Sequence, residues 1–381
     1  MIYLDSAATS LLKPPSVVRA TAMAMRTMAS PGRGGHGAAM RAADTVFACR
    51  EAAAELFHVP EPERVVFTMN ATHALNIAIY SLVSPGDPVV ISGYEHNSVT
   101  RPLHALGAQV RVAESPLFEP ETAVGAFRRA LPGAKAAVCT MVSNVFGYLL
   151  PVREIAELCA AAGVPLIVDA SQAAGCVAFD AAALGAAFVA MPGHKGLLGP
   201  QGTGGIYVRE GLSIPSLLVG GSGVHSFDKQ HPADMPTALE AGTANGHGLA
   251  GLEAAVDFLL ETGVEAIHAR EDAWMRRFLS GVRSIPHVKL YGDMDASLRA
   301  PIVTLNLGTA DAAAVSDVLW EEYGICVRAG AHCAPLMHKH FGTAEQGAVR
   351  FSFSYWNTET DIDAAIQALR DIAEECEDAD A

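Results

Sequence analysis

The chain has 381 residues, half of them apolar and 18% charged, with 26 basic side chains against 41 acidic ones. That composition excludes disorder and is ample for roughly two or three domains, while the formal charge of −15 repels nucleic-acid phosphates and anionic lipid. No apolar run approaches the ~18–20 residues of a membrane helix, and the start MIYLDSAATS has neither the basic nor the apolar part of a signal peptide.

Seven scattered cysteines without a CxxC pair make neither a disulfide framework nor a zinc motif. A cytoplasmic α/β protein that binds neither nucleic acid nor membrane is expected.

Short apolar runs read as strands at Val65–Met69, Pro88–Ser92, Gln109–Ala113, Ala136–Val142, Pro165–Asp169, Ala187–Met191 and Gly204–Arg209. Amphipathic stretches at Ala71–Leu82, Ser98–Leu106, Glu119–Ala130 and Val152–Ala162 fall between several of them. Such alternation predicts a mostly parallel mixed sheet covered by helices on both faces. After the Gly/Ser-rich stretch Val219–Phe227 the pattern changes. A long helical segment runs from Ala250 into Arg283, interrupted near Gly263. Strands at Val288–Tyr291, Ile302–Leu307, Ile325–Arg328 and Val349–Ser354 then alternate with helices at Ala312–Glu322 and Thr360–Glu375, which suits a smaller α+β C-terminal domain. The expected division is a large domain over 15–260 and a small one made of 1–14 and 261–381.

Polar residues recur where strands end. In GHKGLLGPQGTGG, Lys195 lies between glycines after an apolar strand, as either a surface turn lysine or a Schiff-base lysine activated by partial burial. In PLIVDASQAAG, Asp169 ends a strand 26 residues earlier. A carboxylate there can hold the protonated pyridine nitrogen of pyridoxal phosphate (PLP), or simply cap the following helix. Gln172 could reach such a cofactor's phenolic oxygen or cover a turn. The Asn70-Ala71-Thr72-His73 step from strand to helix offers backbone N–H groups and a hydroxyl to a phosphate, or an ordinary N-cap. His96 could stack on a cofactor ring or be structural, and Ser143-Asn144 follows the next strand. Convergence of these strand ends is the functional signal.

In VRAGAHCAPLMHKH, Cys333 adjoins His332 and follows Arg328 by five residues, neighbours that favour a thiolate. Cys49, Cys139, Cys159, Cys176, Cys326 and Cys376 fall in apolar contexts and read as core residues. His332, Cys333, His338 and His340 lack a matching second ligand group, so no metal is expected. Arg350, read as opening its strand, suits bidentate capture of a substrate carboxylate or a surface salt bridge.

Together these motifs resemble the cysteine desulfurase and selenocysteine lyase family, in its SufS-like group, within the class V aminotransferase-like fold-type I PLP enzymes. The resemblance runs from YLDSAAT near the start to RFSFSYWNTETDID, and rests on DASQ, GHK and RAGAHCA. It implies PLP as cofactor, with Lys195 as the Schiff-base residue and Asp169 on the pyridine nitrogen. His96 would stack on the ring and Gln172 would meet the phenolic oxygen. Ala71, Thr72, His73 and His194 would hold the phosphate, joined by Gly242 and Thr243 of EAGTANG from a homodimer partner. Asn144, Arg328 and Arg350 would bind the substrate, and Cys333 would take the sulfur. The family's usual hydroxyl three residues before the lysine is here Pro192, Arg33 and His36 stand in an entrance segment, and Pro335 restrains a compact cysteine loop.

The implied activity converts L-cysteine to L-alanine and leaves a persulfide on Cys333 for transfer, with a protein among the expected sulfur acceptors. Alternatives kept open are a selenocysteine lyase acting on L-selenocysteine, and a PLP-dependent aminotransferase, epimerase or C–S lyase in which Cys333 is incidental. A non-catalytic interaction protein on the same fold is a further class.

Overall fold

The computed structural model describes every residue except 33, 298 and 381, and only the backbone of 375–380. The expectations for Arg33 and for the Cys376 side chain therefore lie outside the described residues.

The N-terminal part runs β1 (Ile2–Tyr3), α1 (Pro15–Thr27), α2 (Gly37–Leu56), β2 (Val65–Thr68), α3 (Ala71–Leu82), β3 (Pro88–Ser92) and α4 (Asn97–Ala105). It continues through β4 (Gln109–Ala113), α5 (Pro120–Ala130), β5 (Ala136–Thr140), α6 (Val152–Ala161), β6 (Leu166–Asp169), β7 (Phe188–Pro192) and β8 (Gly204–Val208). Seven of these strands form one sheet in the order β2-β8-β7-β6-β5-β3-β4. Neighbours from β7 through β4 are parallel, and β8 runs antiparallel between β7 and β2.

Every residue of β5, β6, β7 and β8 is buried, which is why these strands read as unbroken apolar runs. One face packs Val66, Val89, Val138 and Ile167 against Leu75, Ile79 and Leu103 of α3 and α4. The other packs Val90, Cys139 and Val168 against Phe127, Ile155, Val256 and neighbouring helix residues. Edge strand β4 is mostly exposed. The helices α1 and α2 escaped the sequence reading, and Ala-rich α2 has only a weak amphipathic pattern, six buried positions scattered over twenty residues.

The chain goes on through α7 (Gly246–Thr262), α8 (Val264–Val282), β9 (Val288–Leu290), β10 (Ile302–Leu307) and α9 (Ala312–Glu321). It ends with β11 (Ile325–Cys326), β12 (Arg328–Gly330), α10 (Pro335–His340), β13 (Ala348–Ser352) and α11 (Glu359–Asp380). An antiparallel sheet β12-β13-β10-β9 carries a second core around Phe278, Leu305, Phe351 and Leu369. The expected strand Ile325–Arg328 divides at Val327. β11 pairs in parallel with β1, and β12 turns into the other sheet beside β13. Arg350 consequently sits mid-strand in β13 rather than opening it. Among the described residues no helix is long and apolar enough to cross a membrane.

Two turns touch backbone to backbone where the lysine is presented. Gly175, after β6, has φ +80°, and a Cβ there would meet the Gly196 carbonyl oxygen at 2.2 Å. That contact seats the turn carrying Lys195. Gly175→Ala is expected to destabilise the protein by roughly 1–3 kcal/mol through backbone overpacking. Urea denaturation checks this, and an unchanged midpoint would contradict the contact's importance.

Candidate active site

The carboxyl ends of parallel strands face a common crevice, and the side chains just past them are brought together without further device. Here the loops after β2, β3, β5, β6 and β7 meet β12 and β13 around a cavity of about 200 Å³. Ala71, Thr72, His96, Asn144, Asp169, Gln172, His194, Lys195, Arg328, Cys333 and Arg350 all line it. The expected set is therefore largely one site.

At its base, Asp169 ends β6 and is 2% exposed, with Oδ1 accepting the Ser171 N–H at 2.9 Å. Burial pushes the Lys195 amine down to about 8, with Arg350 and Arg328 adding to the effect and Asp169 and Asp5 opposing it. His96 caps α4, its Nδ1 accepting the Ser98 N–H at 3.0 Å. Burial also lowers that imidazole to about 4. The neutral ring therefore carries its proton on Nε2. Beneath it Glu95 is fully buried, with one oxygen held by Ser92 Oγ at 2.5 Å and by the Thr140 N–H at 2.7 Å. Burial raises this carboxyl to about 8, which favours its uncharged form at neutral pH.

The opposite end is built on the start of α3. Asn70 is its N-cap, and Asn70 Oδ1 takes the His73 N–H at 2.9 Å. The His73 ring turns back to accept the Met69 N–H at 3.3 Å, and it does not line the cavity. Ala71 and Thr72 line the cavity at this end, and His73 does not. Thr72 Oγ1 lies 2.7 Å from Ser98 Oγ, and His194 Nδ1 lies 3.0 Å from Thr9 Oγ1. Pro192 lines the cavity without a donor, but the Ser98 hydroxyl is part of the same lining. Gly242 and Thr243 are exposed and do not line it.

The remaining wall is cationic. Arg328 and Arg350 are cross-strand partners on β12 and β13. Arg350 is 1% exposed and donates to Asp5 Oδ1 at 2.8 Å and to the Asn144 carbonyl at 2.9 Å, while its Nε has no partner among the described residues. Arg328 Nη2 stands 3.7 Å from Cys333 Sγ. Asn144 Nδ2 donates to the His332 carbonyl at 2.8 Å, and Gln172 Nε2 donates to the Ala7 carbonyl at 2.9 Å. Both side chains line the site while tying distant segments together. His36, outside the site, caps α2.

Cys49, Cys139 and Cys159 are buried, as expected of core residues, whereas Cys176 and Cys326 are only half-buried. Sequence reasoning missed Asp5, Glu95 and Ser98. Asp5 belongs to the quoted YLDSAAT motif and Glu95 and Ser98 flank His96, so their positions were in view. Their roles depend on partners far along the chain.

The arrangement pairs a strand-end lysine with a strand-end carboxylate on a mostly parallel mixed sheet, the architecture of fold-type I PLP enzymes. A sequence profile of aminotransferase class-V matches residues 2–365. The chain belongs to that family and is an enzyme of its cysteine desulfurase branch. It is 34% identical over 387 residues to a protein of Methanothermobacter thermautotrophicus named probable cysteine desulfurase, covering 98% of this chain and 94% of that one. It is 32% identical to the cysteine desulfurase of Serratia proteamaculans, covering 98% and 93%. The solved apo structure of a cysteine desulfurase from Thermococcus onnurineus NA1 superposes with a TM-score of 0.89 at 28% identity, covering 98% and 95%.

A buried amine that loses its proton near pH 8 has a directly measurable consequence. In the cofactor-free protein, labelling of Lys195 by an amine-directed acylating reagent should rise through a half-maximum near pH 8. A free lysine titrates at about 10.4. Peptide mass spectrometry across pH reads this, and an ordinary lysine profile would refute the burial effect.

Proposed function

We propose that the protein is a PLP-dependent cysteine desulfurase that converts L-cysteine to L-alanine and stores the sulfur as a persulfide on Cys333. The observation that carries this reading is the placement of the Cys333 thiol, beside Arg328, in the same cavity as Lys195 and Asp169.

The residues present fit PLP by their chemistry. Asp169 would hold a protonated ring nitrogen, His96 would cover the ring, and Gln172 has a second amide hydrogen for a phenolic oxygen. The first N–H groups of α3, the Thr72 hydroxyl and His194 suit the phosphate, with Ser98 offering the hydroxyl that Pro192 lacks. When bound, PLP supplies an electron sink for the charge left by removal of a proton from the substrate's α-carbon.

Arg350, Arg328 and Asn144 hold the substrate carboxylate and orient its α-carbon toward Lys195. With its pKa depressed toward neutrality, Lys195 takes the α-proton. Cys333 Sγ then attacks the substrate sulfur: an S–S bond forms, the Cβ–S bond breaks, and its electron pair goes to Cβ. A proton delivered to Cβ and one returned to Cα, the latter from Lys195, complete alanine. Arg328 beside Sγ favours the thiolate that this attack needs.

A homodimer suits this reading. Val18, Met23 and Met25 on α1, Phe47 on α2, and Leu218, Val219 and Phe227 are exposed apolar side chains. Cover by a second copy would remove them from water and bring Gly242 and Thr243 to a neighbouring phosphate. A cytoplasmic enzyme passing its persulfide to a protein acceptor completes the proposal.

Incubation of the PLP-loaded enzyme with L-cysteine should add the mass of one sulfur atom to the Cys333 peptide. Cys333→Ala should lower alanine formation from L-cysteine at least ~100-fold, and Lys195→Ala should lower it by a similar factor. Absence of the added sulfur on wild type would refute the reading. Alanine formation confined to L-selenocysteine would favour the lyase instead.

A further inference from the structure

The histidines around Cys333 form a directed chain rather than a scattered cluster. His332 and His338 are 3% and 1% exposed, with His332 Nδ1 3.3 Å from His338 Nε2. His332 Nε2 lies 3.1 Å from the Arg328 carbonyl oxygen, and His338 Nδ1 lies 2.8 Å from Thr343 Oγ1. All four ring nitrogens are thus engaged.

Proton inventory fixes the direction. A carbonyl oxygen can only accept, so His332 must carry its proton on Nε2. Burial lowers both imidazoles, reinforced at His332 by Arg350 and opposed by backbone hydrogen bonds to Arg328 at His332 and to Thr343 at His338, and so favours the singly protonated form of each ring. His332 Nδ1 is then an acceptor, and His338 must donate from Nε2. That leaves His338 Nδ1 to accept from the Thr343 hydroxyl. The order is Thr343 to His338 to His332 to the Arg328 carbonyl.

This chain ends on the turn that carries the nucleophile. His332 and Cys333 have φ of 51° and 56°, consecutive left-handed conformations that disfavour any residue with a Cβ. The turn is held through its carbonyls, Asn97 N–H donating to Cys333 at 2.8 Å and Asn144 Nδ2 to His332. The His332 ring adds a hold between β12 and α10. It also grips the backbone of Arg328, whose guanidinium touches Cys333 Sγ.

We propose that His338, which does not line the cavity, is a positioning residue for Cys333: by donating to His332 it locks the tautomer that pins the left-handed turn and aims the thiol at the substrate. Without that donor, His332 Nδ1 is buried and unsatisfied. Moving the proton to Nδ1 would abandon the Arg328 carbonyl and release the turn. The inference rests on Cys333 being the sulfur-accepting residue, but its tautomer and exchange readouts do not.

The test uses the PLP-loaded full-length enzyme, wild type, His338→Leu and His338→Gln, the last able to donate from its amide. Nitrogen-15 NMR of labelled histidine should show both wild-type rings protonated on Nε2. Hydrogen exchange of the 331–334 segment should rise at least about tenfold in His338→Leu, and persulfide formation on Cys333 should fall by about the same factor, equivalent to ~1.4 kcal/mol. Cofactor absorbance should stay unchanged, and His338→Gln should restore both rates to within about threefold of wild type. An Nδ1-protonated ring in wild type, or wild-type exchange and persulfide rates in His338→Leu, would overturn the proposal. Should wild type form no persulfide, the sulfur-transfer reading fails while exchange and tautomer still decide the positioning role. If His338→Leu does not fold, Thr343→Val decides: increased exchange at 331–334 supports the chain, and unchanged exchange overturns it.

Discussion

Burial of like charge in one small cavity is the constraint on which the rest of this site depends. Lys195, Arg328 and Arg350 gather where Asp169 and Asp5 are the compensating carboxylates. Burial favours the uncharged form of the adjoining Glu95 at neutral pH, and His96 and His194 are neutral for the same reason. A chain of net charge −15 therefore keeps an electropositive pocket. Burial depresses the Lys195 amine, with Arg350 and Arg328 adding to the effect, and the excess cation leaves the pocket suited to anionic guests.

That pocket exists only because two separately packed sheets meet. The seven-stranded sheet supplies Asp169, Lys195 and the N-terminus of α3 from its strand ends. The four-stranded sheet supplies both arginines from adjacent positions in β12 and β13. Asp5 reaches Arg350 because β1 is drawn into parallel pairing with β11. The cysteine turn is fastened from both sides, by Asn97 and Asn144 from one sheet's loops and by His332 from the other. Unfavourable backbone geometry at Cys333 is thus sustained by contacts spread over the whole fold.

Much of this was legible in the chain itself. The seven strands of the main sheet fall within one or two residues of where the sequence predicts them, and for β5 to β8, buried along their whole length, the reason is a continuous apolar signature. The lysine, aspartate and cysteine stand in short local motifs, and all three line one cavity. Less legible were α2, whose alanines blur its amphipathic period, and the break at Val327, where one apolar run feeds two sheets. The surroundings of His73 were also not legible locally: its N–H is taken by the Asn70 side chain and the residue does not line the cavity.

Element order, layer type and the chemical identity of the strand-end groups are therefore written in the linear sequence, because they follow from local periodicity and from residue type. Which of those groups remains available to a ligand was decided only in the folded chain. Asn144 and Gln172 each spend a donor on a carbonyl more than 160 residues away. Arg350 gives one nitrogen to Asp5 across 345 residues. The proton positions of His96, His332 and His338 follow from which neighbours surround each ring. Hydrogen-bond partners and desolvation are properties of surroundings, and for these residues most of the surroundings come from distant parts of the chain.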